Sequence, residues 1–236
     1  MNNDNTTDIS TFYAVRCGSL VLALFALLTV GLVASTWLIT RERIAEQIRL
    51  SEQNALFEVL PAHHFDNNLL DTSVILPEPT LLGALPEGTR GWVAFKNEAP
   101  SAVILPTVAP DGYNGRIQLL VGITDEGVLT GVRVITHKET PGLGDKIETR
   151  VSDWINSFND QSLRSTPESA WAVKKDGGSF DQFTGATITP RAIVSAVYRT
   201  LLYFSEYQQQ IFASAAIQQQ NAQQQQNAMA MGGSSL

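Results

Sequence analysis

Two short stretches carry the residue types that could hold an anion or a flat ligand. The first is Asp181 to Ala192, DQFTGATITPRA. Here Thr184, Gly185, Ala186 and Thr187 are small enough to close a turn, and Thr189 and Pro190 have the character of an N-cap and a first helical residue. That places the Thr187 hydroxyl just outside a helix N-terminus, where unpaired backbone N–H groups and the helix dipole stabilise an anion, a phosphate above all. A capped turn that only starts a helix would use the same four residues. The second stretch, Thr140 to Gly144 (TPGLG), follows a strand-like run and precedes an amphipathic pattern of Ile147, Val151, Trp154, Ile155 and Phe158, so it reads as a strand-to-helix loop. Glycines there let the backbone approach a flat ligand closely, and a tight turn needs the same glycines.

Composition excludes several other chemistries. The formal charge is −7 across 236 residues and no basic cluster is present, which argues against nucleic acid, whose phosphates demand a cationic surface. One cysteine, Cys17, permits neither an internal disulfide nor a thiolate-held cluster. His63, His64 and His137 are too few and too scattered for a zinc site, so no metal ligands are assigned.

The elements that must position the two stretches follow from patterning. Residues 1–16 form a short polar tail. From 17 to 40 no charged residue occurs, and LVLALFALLTVGLVASTWLI is long enough for one transmembrane helix, with Trp37 as an interfacial anchor. A cleaved signal peptide is the competing reading, and the apolar run exceeds the ~7 to 15 residues usual for one. Arg41, Arg43 and Arg49 follow the span and only Arg16 precedes it, so the positive-inside rule taken alone puts the main domain in the cytoplasm. Residues 41–60 have helical spacing at Ile44, Ile48, Ala55, Leu56, Val59 and Leu60, an amphipathic stalk that ends at Pro61. Residues 61–90 read as irregular. Strands are expected at Trp92 to Lys96, Ala102 to Leu105, Arg116 to Thr124 and Val128 to Thr136, with turns at Asp111 to Gly115 and Asp125 to Gly127, forming an antiparallel sheet. Residues 171–183 read as a short hairpin turning at Asp176 to Gly178. A helix from Pro190 shows one face at Ile193, Val197, Leu201 and Phe204, and the glutamine-rich tail, 208–236, is of low complexity.

Taken together, one membrane helix, HKETPGLGDKIE (His137 to Glu148), the Trp154–Ile155 pair and WAVKKDGGSFDQFTGATITPRA (Trp171 to Ala192) resemble the G subunit of the Rnf (Rsx) ion-translocating electron transport complex. The resemblance runs from about residue 15 to about residue 207. More distantly the chain is similar to the C subunit of the sodium-translocating NADH:quinone reductase. It implies an α+β chain: one N-terminal transmembrane helix, then a single FMN-binding domain, 61–207, with an antiparallel sheet and packed helices.

In that family the second threonine of the [Ser/Thr]-Gly-Ala-Thr motif carries FMN through a phosphoester bond, which corresponds to Thr187. A separate flavin transferase that uses FAD makes the attachment, so the chain needs no catalytic base of its own; none of the residues near Thr187 in sequence is a histidine or thiol. The resemblance further implies a single-pass protein of the cell inner membrane with its main domain in the periplasm, against the charge rule, working with the other subunits of the complex. The implied role is electron transfer within a translocase, with no activity expected of the subunit alone. Thr184, Gly185 and Ala186, and the loop residues Thr140, Gly142, Leu143 and Gly144, are then candidate flavin contacts, and Lys174 and Lys175 could offset phosphate charge. Two alternatives remain: a subunit of the sodium-translocating quinone reductase, and a non-redox assembly module of the same fold.

Overall fold

The computed structural model describes residues 19, 20, 22–37 and 55–232. The chain divides between Glu52 and Gln53 into two compact units.

In the first unit residues 22–37 are helical, and their large side chains are exposed around the whole circumference, from Leu22 at 70% to Trp37 at 60%. Among the described residues no helix is long and apolar enough to cross a membrane. Residues 17, 18, 21 and 38–40 of the expected span, and the expected stalk as far as residue 54, lie outside the described residues.

The second unit is built on a five-stranded antiparallel sheet in the order β1-β2-β3-β4-β5: Ser73–Ile75, Arg90–Lys96, Ala99–Gly112, Gly115–Thr124 and Leu129–Thr136. This bears out the expected antiparallel sheet and adds β1, a three-residue strand inside the region read as irregular. β3 runs far beyond the expected Ala102 to Leu105, through Pro106 and Pro110. Past Ile104 it has β4 alone as a neighbour, and on that open edge a proline's missing N–H removes no ladder bond.

Continuous apolar runs such as Ala102 to Leu105 arise because both sheet faces are covered. Val93, Phe95, Val103, Leu105, Leu119 and Val121 share a core with Ile193, Val194, Val197 and Leu201 of the long helix Ile188–Gly232. On the opposite face Ala94, Ala102, Ile104 and Leu120 meet Leu56, Val59 and Leu60. Residues 55–59 are helical, so the end of the expected stalk is part of the core of this unit. Val59 sits against Gly122 and Gly131, where an added Cβ would come within 2.8 Å of its atoms, and its carbonyl accepts from the Thr130 hydroxyl at 2.9 Å.

Three local expectations are corrected. No α-helix follows TPGLG; the apolar pattern is carried by two short 3-10 helices, Asp145–Ile147 and Trp154–Phe158. Between them the Ser152 hydroxyl donates to the Lys146 carbonyl at 2.7 Å and accepts from the Trp154 N–H at 3.2 Å, side-chain bonds that compete with a helical ladder. The expected hairpin at 171–183 is replaced by a crossing: a 3-10 turn at Lys174–Asp176 and Gly177 at φ +90° bring Phe180 alongside Val173 in a parallel bridge. The long helix starts at Ile188, two residues before Pro190, and runs through the glutamine-rich tail to Gly232. Ile211 and Ala215 are buried, so its packed part passes residue 207.

Candidate functional site

The early helix start changes the role of Thr187. Its carbonyl accepts the Arg191 N–H at 3.3 Å, the first bond of the helix, which makes Thr187 the N-cap and puts Thr189 and Pro190 inside the first turn. An N-cap side chain ordinarily accepts from the N–H two or three positions on. Here the third position is Pro190, which has no N–H, and among the described residues the Thr187 hydroxyl makes no hydrogen bond. The N–H groups of Ile188 and Thr189 likewise have no acceptor among the described residues, so the helix mouth presents open donors together with the positive end of its dipole.

The turn before it is closed by Ala186 N–H to the Phe183 carbonyl, 3.1 Å, with Gly185 at φ +83°. A positive φ at the third position of such a turn favours glycine. Thr140 to Leu143 repeats the device: Leu143 N–H donates to the Thr140 carbonyl at 3.1 Å, with Pro141 second and Gly142, at φ +78°, third. The proline and glycine of TPGLG are therefore turn residues in fixed places.

The two turns face one another across a cleft of about 260 Å³ lined by Tyr113, Glu139, Thr140, Leu143, Gly144, Gly185, Ala186, Thr187, Ile188 and Thr189. Six of the eight residues singled out from sequence are thus brought together, although 43 positions separate corresponding residues of the two turns. Gly142 and Thr184 shape the turns without lining the cleft. Lys174 and Lys175 do not line it either, and Lys174 pairs with Asp181 at 2.6 Å.

The site rests on a polar clasp and an aromatic backing. Glu139, only 5% exposed, accepts from the Thr189 hydroxyl through Oε2 and from the Asn114 N–H through Oε1, 3.0 Å. Asn114, in the β3–β4 turn, also donates from Nδ2 to Thr140 Oγ1 at 3.2 Å. One carboxyl therefore joins the β3–β4 turn, the loop after β5 and the start of the long helix. Gly144 is packed against it: an added Cβ would lie 2.9 Å from Glu139 Cβ and 3.1 Å from Thr189 Oγ1.

His137 Nδ1 accepts the Glu139 N–H at 3.0 Å, which leaves the ring proton on Nε2, 2.9 Å from Glu148 Oε1. Hydrogen bonding from Arg150, and then from His137, outweighs burial and holds the Glu148 carboxyl down at about 2. Behind the Thr184 turn, Phe183 meets Trp154 edge-on at 5.0 Å, and Trp154 Nε1 donates to the Asp181 carbonyl at 2.7 Å.

Glu139, Tyr113, Ile188 and Thr189 were missed as site residues. For Glu139 the signal was its place directly before TPGLG, and for Thr189 its place inside ATITP. Tyr113 had no local signal, since only the sheet register brings the β3–β4 turn to the cleft.

A model described as "FMN-binding domain" matches residues 112–202, which contain the whole cleft, and one described as "RnfG N-terminal region" matches residues 12–59. The G subunit of the ion-translocating oxidoreductase complex of Pseudomonas aeruginosa (strain UCBPP-PA14) is 50% identical over 206 residues, 87% of this chain and 96% of that protein. The proteins of the same name from Vibrio cholerae serotype O1 (strain ATCC 39541 / Classical Ogawa 395 / O395) and Pasteurella multocida (strain Pm70) are 44% and 50% identical, each covering 84% of this chain and 94% of the relative. Among solved structures, Shewanella oneidensis NqrC aligns with a TM-score of 0.43 at 21% identity, covering 65% of this chain and 74% of that one. By the coverage and identity of these relatives, the chain belongs to the family of G subunits of ion-translocating oxidoreductase complexes, with an FMN-binding domain at its C-terminal side.

Proposed function

We propose that this chain is the electron-carrying G subunit of an ion-translocating oxidoreductase complex, holding FMN in the cleft between the Thr140 and Thr184 turns through a phosphoester bond to Thr187. The observation that carries this reading is the Thr187 hydroxyl: it stands at a helix mouth with open N–H donors and makes no capping bond, Pro190 having no N–H at the third position and the Thr189 N–H remaining open at the second. The residues fit the group. The open amides of Ile188 and Thr189 suit phosphate oxygens, and Leu143, Gly144, Gly185 and Tyr113 offer a partly apolar lining for a ring system. When bound, FMN supplies the redox chemistry, taking up and releasing electrons one or two at a time.

Attachment is work for a separate flavin transferase. The Thr187 oxygen forms a bond to the FMN phosphorus of FAD, the pyrophosphate bond breaks, AMP departs, and the hydroxyl proton goes to the transferase. The chain's part is to present the hydroxyl on a pre-formed turn, held in place by the Trp154–Asp181 and Thr189–Glu139 bonds.

The same proposal anchors the chain in the inner membrane by residues 17–40. The apolar side chains of residues 22–37 are exposed all round, and the Thr29 and Thr36 hydroxyls donate to the Phe25 and Leu32 carbonyls one turn back, which satisfies them in hydrocarbon. The cleft-bearing unit then faces the periplasm, where it meets the other subunits of the complex. Activity of a C-terminal phosphatase fusion supports that side; activity of a reporter that works only in the cytoplasm refutes it.

The flavin bond is tested by in-gel fluorescence of denatured protein made with the transferase present. Wild type and Thr187→Ser should fluoresce and Thr187→Ala should not. A dark wild-type band, or a Thr187→Ala band as bright as wild type, overturns the covalent assignment.

A further inference from the structure

We propose that Glu139 is a positioning residue that also sets the redox potential of the group bound in the cleft, by placing an uncompensated carboxylate in the cleft wall. The inference rests on the FMN reading above. Glu139 lines the cleft and is 5% exposed, so solvent screens it poorly. Both its oxygens act as acceptors, from Thr189 Oγ1 and Asn114 N–H, the pattern of an ionised carboxyl, which has no hydrogen to donate. Neither donor carries charge. The His137 ring accepts from the Glu139 N–H on Nδ1 and sets Nε2 against Glu148 Oε1, so its contacts are to the Glu139 backbone and to Glu148 and none is to the Glu139 carboxyl. Among the described residues no lysine or arginine forms an ion pair with Glu139; Arg150 is engaged with Glu148 and Lys174 with Asp181.

The surroundings pack closely on the carboxyl. At Gly112 and Gly144 an added Cβ would lie 3.0 Å from Oε1 and from Oε2 respectively, so larger residues at either position would displace it. A structural clasp alone would be served as well by glutamine, whose amide has nearly the same shape and can bond the same partners. What glutamine lacks is the charge. Reduction adds negative charge to a flavin, and a fixed carboxylate in the same low-dielectric wall opposes it, so Glu139 lowers the potential at which the bound group accepts electrons.

The test is a spectroelectrochemical titration of full-length, detergent-purified protein made with the flavin transferase, comparing wild type, Glu139→Gln and Glu139→Asp, with in-gel fluorescence on the same samples. Glu139→Gln is expected to keep its covalent flavin and shift the midpoint potential upward, while Glu139→Asp stays with wild type. An unchanged or lowered potential in Glu139→Gln overturns the proposal and leaves the FMN reading standing. A wild-type band without fluorescence overturns both. If Glu139→Gln yields no folded, flavin-bearing protein, Glu139→Met removes the charge without an amide to accommodate, and the same upward shift is expected. Failure of both neutral variants to fold and load, with Glu139→Asp intact, shows a purely structural carboxyl and overturns the redox role.

Discussion

Gly144→Ala separates two reasons for the glycines of TPGLG. Gly144 sits at φ −92°, ψ −15°, a conformation open to any residue, so alanine meets no backbone strain there. What it meets is the clasp: its Cβ would lie 2.9 Å from Glu139 Cβ, 3.0 Å from Oε2 and 3.1 Å from Thr189 Oγ1. Overpacking of this kind costs about 1 to 3 kcal/mol, and for a domain of this size lowers Tm by roughly 2 to 12 °C. Gly142 is the reverse case, with nothing within 4 Å of an added Cβ but φ at +78°. Alanine there costs about 1 to 2 kcal/mol of left-handed strain, part of which asparagine recovers. Thermal unfolding of the full-length protein in detergent should therefore rank Gly142→Asn above Gly142→Ala, but Gly144→Asn below Gly144→Ala. Flavin fluorescence should fall with Gly144→Ala, since the displaced clasp carries the start of the long helix with it. A Gly144→Ala protein that melts with wild type, or asparagine helping at both positions, would refute the steric account.

Thr187→Ala should remove the covalent flavin with almost no change in the thermal stability of unmodified protein, because the side chain caps no N–H; a loss near the ~1 kcal/mol of an ordinary N-cap would show that it does. Glu148 titrates lower when folded, at about 2 against an ordinary 4.5, so its ion-pair stabilisation is complete above the unfolded value and is lost as pH falls through the folded one. Urea unfolding should accordingly find Glu148→Gln less stable than wild type at pH 7, with the gap closing between about 4.5 and about 2. Deleting residues from 218 onward should leave the melting temperature unchanged, whereas deletion from 208 removes buried Ile211 and Ala215 and should lower it measurably. Leu56→Ala, a truncation at a 1% exposed position in the helical turn packed against the sheet, should cost about 2 to 5 kcal/mol by thermal unfolding while leaving flavin attachment intact.

Strands and turns were legible where β-branched runs met glycine and aspartate, and Asp125 to Gly127 is a turn as expected. The full length of β3 is hidden in the sequence because Pro106 and Pro110 argue against a central strand; only the sheet order reveals the open edge that admits them. The pattern from Ile147 to Phe158 has helical spacing, but Ser152 spends its hydroxyl on the backbone and splits it, a competition invisible to hydrophobic periodicity. At the site, the small residues of the two turns and Thr187 announced themselves by type. Glu139 did not, since one acidic residue beside a lysine reads as a solvated charge until the fold closes the β3–β4 turn over it.

The uncapped Thr187 side chain has a consequence for the life of the protein. Because the Thr187 side chain caps no N–H, the helix does not need the group in order to form, and the bare chain folds before attachment. On the proposed attachment to Thr187, occupancy of the site is then set by how fast the group is attached relative to assembly. Pulse-chase lifetimes of Thr187→Ala and of wild type made without the transferase should coincide; faster turnover of the variant would mean that the side chain caps the helix after all.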